Sequence, residues 1–198
     1  MCKLKSAIIL KDRIFMPDYD SHSEMLDELG ITDDYINASK VFVRAELSPK
    51  NEDVFSDIDG WKFCVDQDIT PEWFDEKDCT ERMRNTVKEW AKTHIFIGQN
   101  DLKISHGENI FIKDCNNVKI CGNATVEYIC GDATVESIYG SATVENICGG
   151  ATVISSPYSK WNNSASLIIS GNATFKDCYS KTIYQAGGRK LVEVKKGQ

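Results

Sequence analysis

The chain has 198 residues, of which 27% are charged and 41% hydrophobic, a globular composition rather than a disordered one. No apolar run approaches the roughly 18 residues that span a bilayer, and the first stops at Leu10 before Lys11-Asp12-Arg13, so neither a membrane span nor a signal peptide is expected and a cytoplasmic location is. The net charge of −7 is uneven: residues 1–95 hold 21 acids and 13 bases, residues 96–198 hold 9 and 10, which argues against direct nucleic-acid binding by the first half and fits a basic partner surface.

In chain order, Leu4–Leu10 and Arg13–Met16 read as a hairpin. Ser21 and Glu24 form a capping box ahead of a short helix with Met25, Leu26 and Leu29 on one side and Gly30 at its end. Val41–Leu47 and Trp61–Val65 read as strands, the first stopped by Pro49. Asp78 and Glu81 repeat the capping signature, and Met83, Val87, Trp90, Ala91 and Ile95 follow at helical spacing. The order ββαββα predicts an acidic α+β domain over residues 1–97.

Residues 98–198 carry a different signal. Ile120-Cys-Gly-Asn-Ala-Thr-Val-Glu-Tyr128 recurs from Ile129, Ile138 and Ile147 without slippage, and again from Ile169 after an interruption. Within a unit Ile, Ala and Val share one strand face, and Thr and Glu take the other. Nine residues fold back only once and cannot enclose a core, so two units per turn are expected: an all-β parallel β-solenoid of two sheets. Stacked like charges are unfavourable, so Glu127, Glu136 and Glu145 are expected at a corner with water. The position of Cys121, Cys130, Tyr139 and Cys148 tolerates a tyrosine and is expected to be loosely packed. An inserted loop is expected over 156–168, carrying the large aromatics Tyr158 and Trp161, and the closing segments around Thr182-Ile-Tyr-Gln and Lys190-Leu-Val-Glu-Val are expected to cap the solenoid. Calcium-binding β-rolls have G-G-x-G-x-D units; here each unit has one invariantly placed glycine and only Asp132 supplies a carboxylate at the turn, so no metal is expected.

The candidates for chemistry are few. Cys2 could serve as an N-terminal nucleophile with its own amine as base, as in families that begin Met-Cys-Gly; this chain reads Met-Cys-Lys. His22 lies near Asp18 and Asp20, but a helix start accounts for the segment without metal. The eight cysteines contain no C-x-x-C pair and are expected to be reduced thiols. No cofactor is expected.

The segments Met-Cys-Lys-Leu, Ser-Ala-Ile, Asp-Tyr-Asp-Ser-His (18–22), Val-Arg-Ala-Glu-Leu-Ser-Pro (43–49) and Trp-Lys-Phe-Cys-Val-Asp-Gln-Asp (61–68) resemble an uncharacterised domain of phages and prophages of gut-type Firmicutes that precedes repeats. The resemblance covers about residues 1–95, implies a phage-related origin and carries over no catalytic residue. The resulting expectation is a non-enzymatic, phage-encoded inhibitor of a bacterial defence system, anti-CRISPR-like and acting as an acidic DNA mimic. Its partner would be a host protein such as a nucleic-acid-handling effector, in the cytoplasm of the bacterial host cell. The expected contact residues are Tyr158, Trp161, Asp18, Asp20, Asp33, Asp34, Glu52 and Asp53. The alternatives are an enzyme using Cys2 and a self-assembling solenoid forming homo-oligomers.

Overall fold

The computed structural model describes residues 5–155, 167–178 and 181–194. It divides into two compact units, Met1–Lys92 and Thr93–Gln198. The first unit contains β1 (Lys5–Leu10), β2 (Ile14–Phe15), α1 (His22–Glu28), α2 (Tyr35–Ala38), β3 (Phe42–Ser48), β4 (Lys62–Val65) and α3 (Glu76–His94).

Its four strands form an antiparallel sheet in the order β2-β1-β3-β4. Every residue of β1 is buried, so both faces of the sheet are covered. On one face Ile8, Leu10 and Phe42 pack with Met25 and Leu26 of α1. The other parity, Lys5, Ala7 and Ile9, meets α3: Lys5 Nζ lies 4.8 Å from the Trp90 ring centroid, and Cys79, Met83 and Val87 are the buried row of that helix. Arg82 and Arg84 donate to the carbonyls of Leu10 and Trp61, pinning α3 to opposite ends of the sheet.

The helix boundaries follow from capping. Ser21 caps α1 as its capping box requires, accepting from Glu24 N, and Gly30 follows with φ +67. The second long helix differs from its sequence reading. Asp75, not Asp78, is the capping acid: its Oδ1 accepts the Asp78 N–H at 2.8 Å, so α3 begins one turn earlier. The one-turn α2 was not expected either; Asp34 caps it by accepting from Asn37 N at 2.8 Å.

The second unit is a parallel β-solenoid of about four turns. Its strands are β5 (Ile95–Ile97), β6 (Lys103–Ile104), β7 (Ile110–Lys113), β8 (Val118–Ile120), β9 (Thr125–Cys130), β10 (Thr134–Ile138), β11 (Thr143–Ile147), β12 (Thr152–Ile154), β13 (Leu167–Gly171), β14 (Thr174–Asp177), β15 (Thr182–Gln185) and β16 (Gly188–Val194). Among the described residues, odd-numbered strands β5 to β13 run side by side in one sheet, ended by β16. The even-numbered strands β6 to β14 form the second, ended by β15. Thr125 pairs with Thr143, and Thr134 with Thr152; each step is 18 residues, two nine-residue units per turn. Ile, Ala and Val of every unit fill the interior: Ile120, Ala124, Val126, Ile129, Ala133, Val135, Val144 and Ile147 form one buried cluster.

Two boundaries follow from the strand pairing. Ile95–Ile97 pairs in parallel with β7, so the solenoid starts before residue 98. Leu167 and Ile168 already belong to β13 and pair with Val194 and Glu193, so the interruption ends before residue 168. Ile147 pairs with Ile169, 22 positions further along, so the interruption lengthens one turn by only four residues. At the C-terminal end β15 and β16 pair antiparallel with β14 and β13. A reversed strand does not offer the next parallel rung its register.

The turns explain the glycine of each unit. Gly149 has φ +68, and a Cβ built there would sit 2.8 Å from the carbonyl oxygen of Gly131, one turn below. Positive φ and backbone contact both exclude a side chain. Gly149→Ala is expected to cost about 1–3 kcal/mol, read as a lower urea midpoint; an unchanged midpoint would show that the turns do not stack this closely.

Candidate functional site

The acids expected to contact a partner separate into three places. Asp18 and Asp20 lie beside the start of β1. Asp18 accepts from Trp90 Nε1 at 3.2 Å, and Asp20 faces Lys5 at 4.0 Å and Ser6 N at 3.4 Å. Lys5 is 4% exposed. Burial lowers its pKa, and the charges of Asp20 and Asp18 oppose that shift, so both acids offset a buried ammonium. Glu52 and Asp53 follow the far end of β3. They are exposed, Glu52 has φ +59, and Asp53 accepts from Phe55 N at 3.0 Å. Cys2, Tyr158 and Trp161 lie outside the described residues.

Asp33 and Asp34 belong to the third place, a surface groove at the start of β3 lined also by Tyr35, Arg44, Asp66 and Asp68. Gln67 builds its wall. Its Oε1 accepts from Arg44 N at 2.8 Å, and its Nε2 donates to the carbonyls of Phe42, Ala38 and Ile69. One amide thus ties the segment after β4 to β3 and α2, and aims Asp66 and Asp68 outward. Arg44 pairs with Asp33, leaving the groove acidic. Beside it Tyr35 is 71% exposed and Ile36 63%, an aromatic–aliphatic pair held on α2 by the Asp34 cap. Asp66 and Asp68 stand two apart in the sequence, on one strand parity; Tyr35 and Ile36 leave no such signal, because a four-residue helix has no periodicity.

His22 points away from the acids next to it in sequence. Its Nδ1 lies 3.2 Å from Asp66 Oδ2 and its Nε2 3.3 Å from the Ala45 carbonyl. Glu46 completes a cluster whose ligand atoms all lie within 4.8 Å of one another.

The solenoid holds a second acidic feature, and it overturns the solvated corner expected for Glu127. Glu136 is exposed and pairs with Lys119 at 3.5 Å, but Glu127 is only 6% exposed. Its carboxyl is hydrogen-bonded to that of Glu145, one turn above. Val126 and Ile129 both face the core, so the strand must kink between them. At the kink Asn146 Nδ2 donates to the Glu127 carbonyl at 3.1 Å, and strict alternation cannot place Glu127. Burial first, then the Glu145 charge and hydrogen bond, push the Glu127 carboxyl up to about 7, so near neutrality Glu127 holds its proton far more readily than an exposed glutamate.

The thiol row is partly as expected: Cys130 and Cys148 are half-buried and Tyr139 is exposed. Cys121 is buried, because Tyr139 stacks one turn above it and hydrogen-bonds to it. The hydrogen bond to Cys148, and then burial, push the Cys130 thiol well up, which makes it a poor nucleophile.

Among the described residues no helix is long and apolar enough to cross a membrane. Scans against protein-family models, curated proteins and solved structures find no match, so the functional reading rests on this geometry.

A carboxyl raised from 4.5 to about 7 by folding keeps its proton preferentially in the folded state. Its stabilising contribution is full below pH 4.5 and is lost as pH rises through 7. Glu127→Gln keeps the shape and the hydrogen bond but removes the titration. It is expected to melt above the wild type at pH 8 and to lose that advantage at pH 5; an equal difference at both pH values would refute the raised Glu127 carboxyl.

Proposed function

We propose that the chain is a non-enzymatic protein-binding module that engages a basic partner surface through the acidic groove of its first unit. The observation that carries this reading is the exposed Tyr35–Ile36 pair beside Asp33, Asp34, Asp66 and Asp68. Interface energy concentrates in a few large side chains that bury on contact. Surrounding acids steer a basic surface into register and raise the rate of association. The repeat unit adds a rigid scaffold, and the sequence resemblance to phage and prophage domains supplies the context. In its most concrete form the reading is a phage-encoded inhibitor of a bacterial defence effector. Spaced carboxylates would occupy a channel built for a nucleic-acid backbone, in the cytoplasm of the host cell.

Affinity capture from lysate of a bacterial host, followed by mass spectrometry, is expected to recover a nucleic-acid-handling protein. Tyr35→Ala with Ile36→Ser is expected to weaken that complex by about 2 kcal/mol or more. Asp33→Asn with Asp34→Asn, which keeps the α2 cap, is expected to slow association and flatten its salt dependence. Capture of nothing specific, or equal binding by the Tyr35/Ile36 variant, would overturn the reading.

A further inference from the structure

We infer that His22, Glu46 and Asp66 form a binding site for a first-row divalent transition-metal cation, with one imidazole and two carboxylates as ligands and the remaining positions open to water or a further ligand. The site shares Asp66 with the acidic groove, but its argument and its test need no partner protein.

Three strands of geometry lead to it. The first is the histidine. Its side chain is 10% exposed and sits on the sheet face covered by α1. Nε2 faces the Ala45 carbonyl at 3.3 Å. A carbonyl only accepts, so Nε2 carries the hydrogen and Nδ1 presents either a lone pair or a second proton to Asp66. A backbone carbonyl holding the far nitrogen of a ligating histidine is the usual orienting device at metal sites.

The second is spacing. Two ligands bonded at about 2.1 Å with an angle of 90–109° stand roughly 3.0–3.4 Å apart. Nδ1 and Asp66 Oδ2 stand 3.2 Å apart, and the Glu46 carboxylate lies within 4.8 Å of both, a gap that a side-chain torsion closes. The ligands come from three elements: His22 from the first turn of α1, Glu46 from β3, and Asp66 from the segment just after β4. Asp66 is held there by its own N–H to the Arg44 carbonyl at 2.9 Å.

The third is charge. Among the described residues the Glu46 carboxylate has no hydrogen-bond or ion-pair partner, although it is half-buried. The guanidinium two residues away on the same strand face, Arg44, is engaged by Asp33. An imidazolium would neutralise one of the two carboxylates and leave the other unmatched. A divalent cation on the neutral imidazole neutralises both. The donor set selects the class: an imidazole disfavours magnesium and calcium, and the absence of thiolate from the three ligands disfavours copper(I).

The test uses the full chain, stripped with chelator and titrated with Co2+, followed by visible absorption and calorimetry. The expected result is one saturating site with a ligand-field spectrum free of sulfur-to-metal charge transfer, which excludes the cysteines. Affinity is expected to fall at least tenfold in Glu46→Gln and in His22→Ala, and to be unchanged in Asp34→Asn. Glu46→Gln decides alone if His22→Ala fails to fold, since among the described residues the Glu46 carboxylate makes no hydrogen bond or ion pair that its loss would break and Gln keeps its shape. Absence of saturable binding, a spectrum carrying thiolate bands only, or equal affinity in Glu46→Gln would overturn the inference and leave the His22–Asp66 contact as a hydrogen bond alone.

Discussion

The solenoid depends on one constraint: a nine-residue unit has an apolar row but nothing of its own to bury it against. Ile, Ala and Val leave water only when a second unit folds back across the same interior, and the pair must then be stacked on another. Everything regular in the second unit follows. The rise per turn is two units, threonines meet threonines, as in the 3.2 Å contact of Thr143 Oγ1 with Thr125 Oγ1, and the glycines superpose so closely that no Cβ fits between Gly149 and Gly131. The same stacking places Glu127 under Glu145. A register that is favourable for side chains with hydroxyls and methyls is unfavourable for paired carboxylates, and burial beside Glu145 raises the Glu127 carboxyl towards its neutral form.

The first unit solves a different problem. Its sheet is covered on both faces, which forces Lys5 into an apolar setting where Asp18, Asp20 and the Trp90 ring compensate its charge. Several of the acids that make this half so negative are therefore structural. Among the acids that face outward are those near Gln67, whose amide reaches four backbone groups of three segments. Rigid support behind an exposed Tyr35–Ile36 pair is what a contact site needs, because little entropy is then lost on binding.

The outward-facing acids also explain why His22 matters. A helix cap at Ser21 fixes the start of α1, the first turn carries the imidazole over β3, and the Ala45 carbonyl sets which nitrogen faces the carboxylates. Local sequence would pair His22 with Asp18 or Asp20. The chain reversal between β3 and β4 delivers Glu46 and Asp66 instead, 24 and 44 positions away.

The sequence by itself determined the repeat, its period, the inward set and the two-unit turn, because each is written in alternation and recurrence that no tertiary contact needs to supply. It also determined the first α-helix through the Ser21–Glu24 box and the strand assignments of the first half to within a residue or two. The tertiary structure alone decided what lies where alternation breaks or where partners are far apart in sequence. Glu127 could not be placed, since the kink between Val126 and Ile129 takes it out of parity. Asp75 displaced Asp78 as a cap because both acids stand within reach of the same turn and only the entry angle of the chain chooses between them. The exposure of Tyr35 and Ile36, the Gln67 network and the His22–Glu46–Asp66 cluster all depend on how β3 and β4 lie beside α1 and α2, a relation carried by packing across the sheet and by no short pattern in the chain.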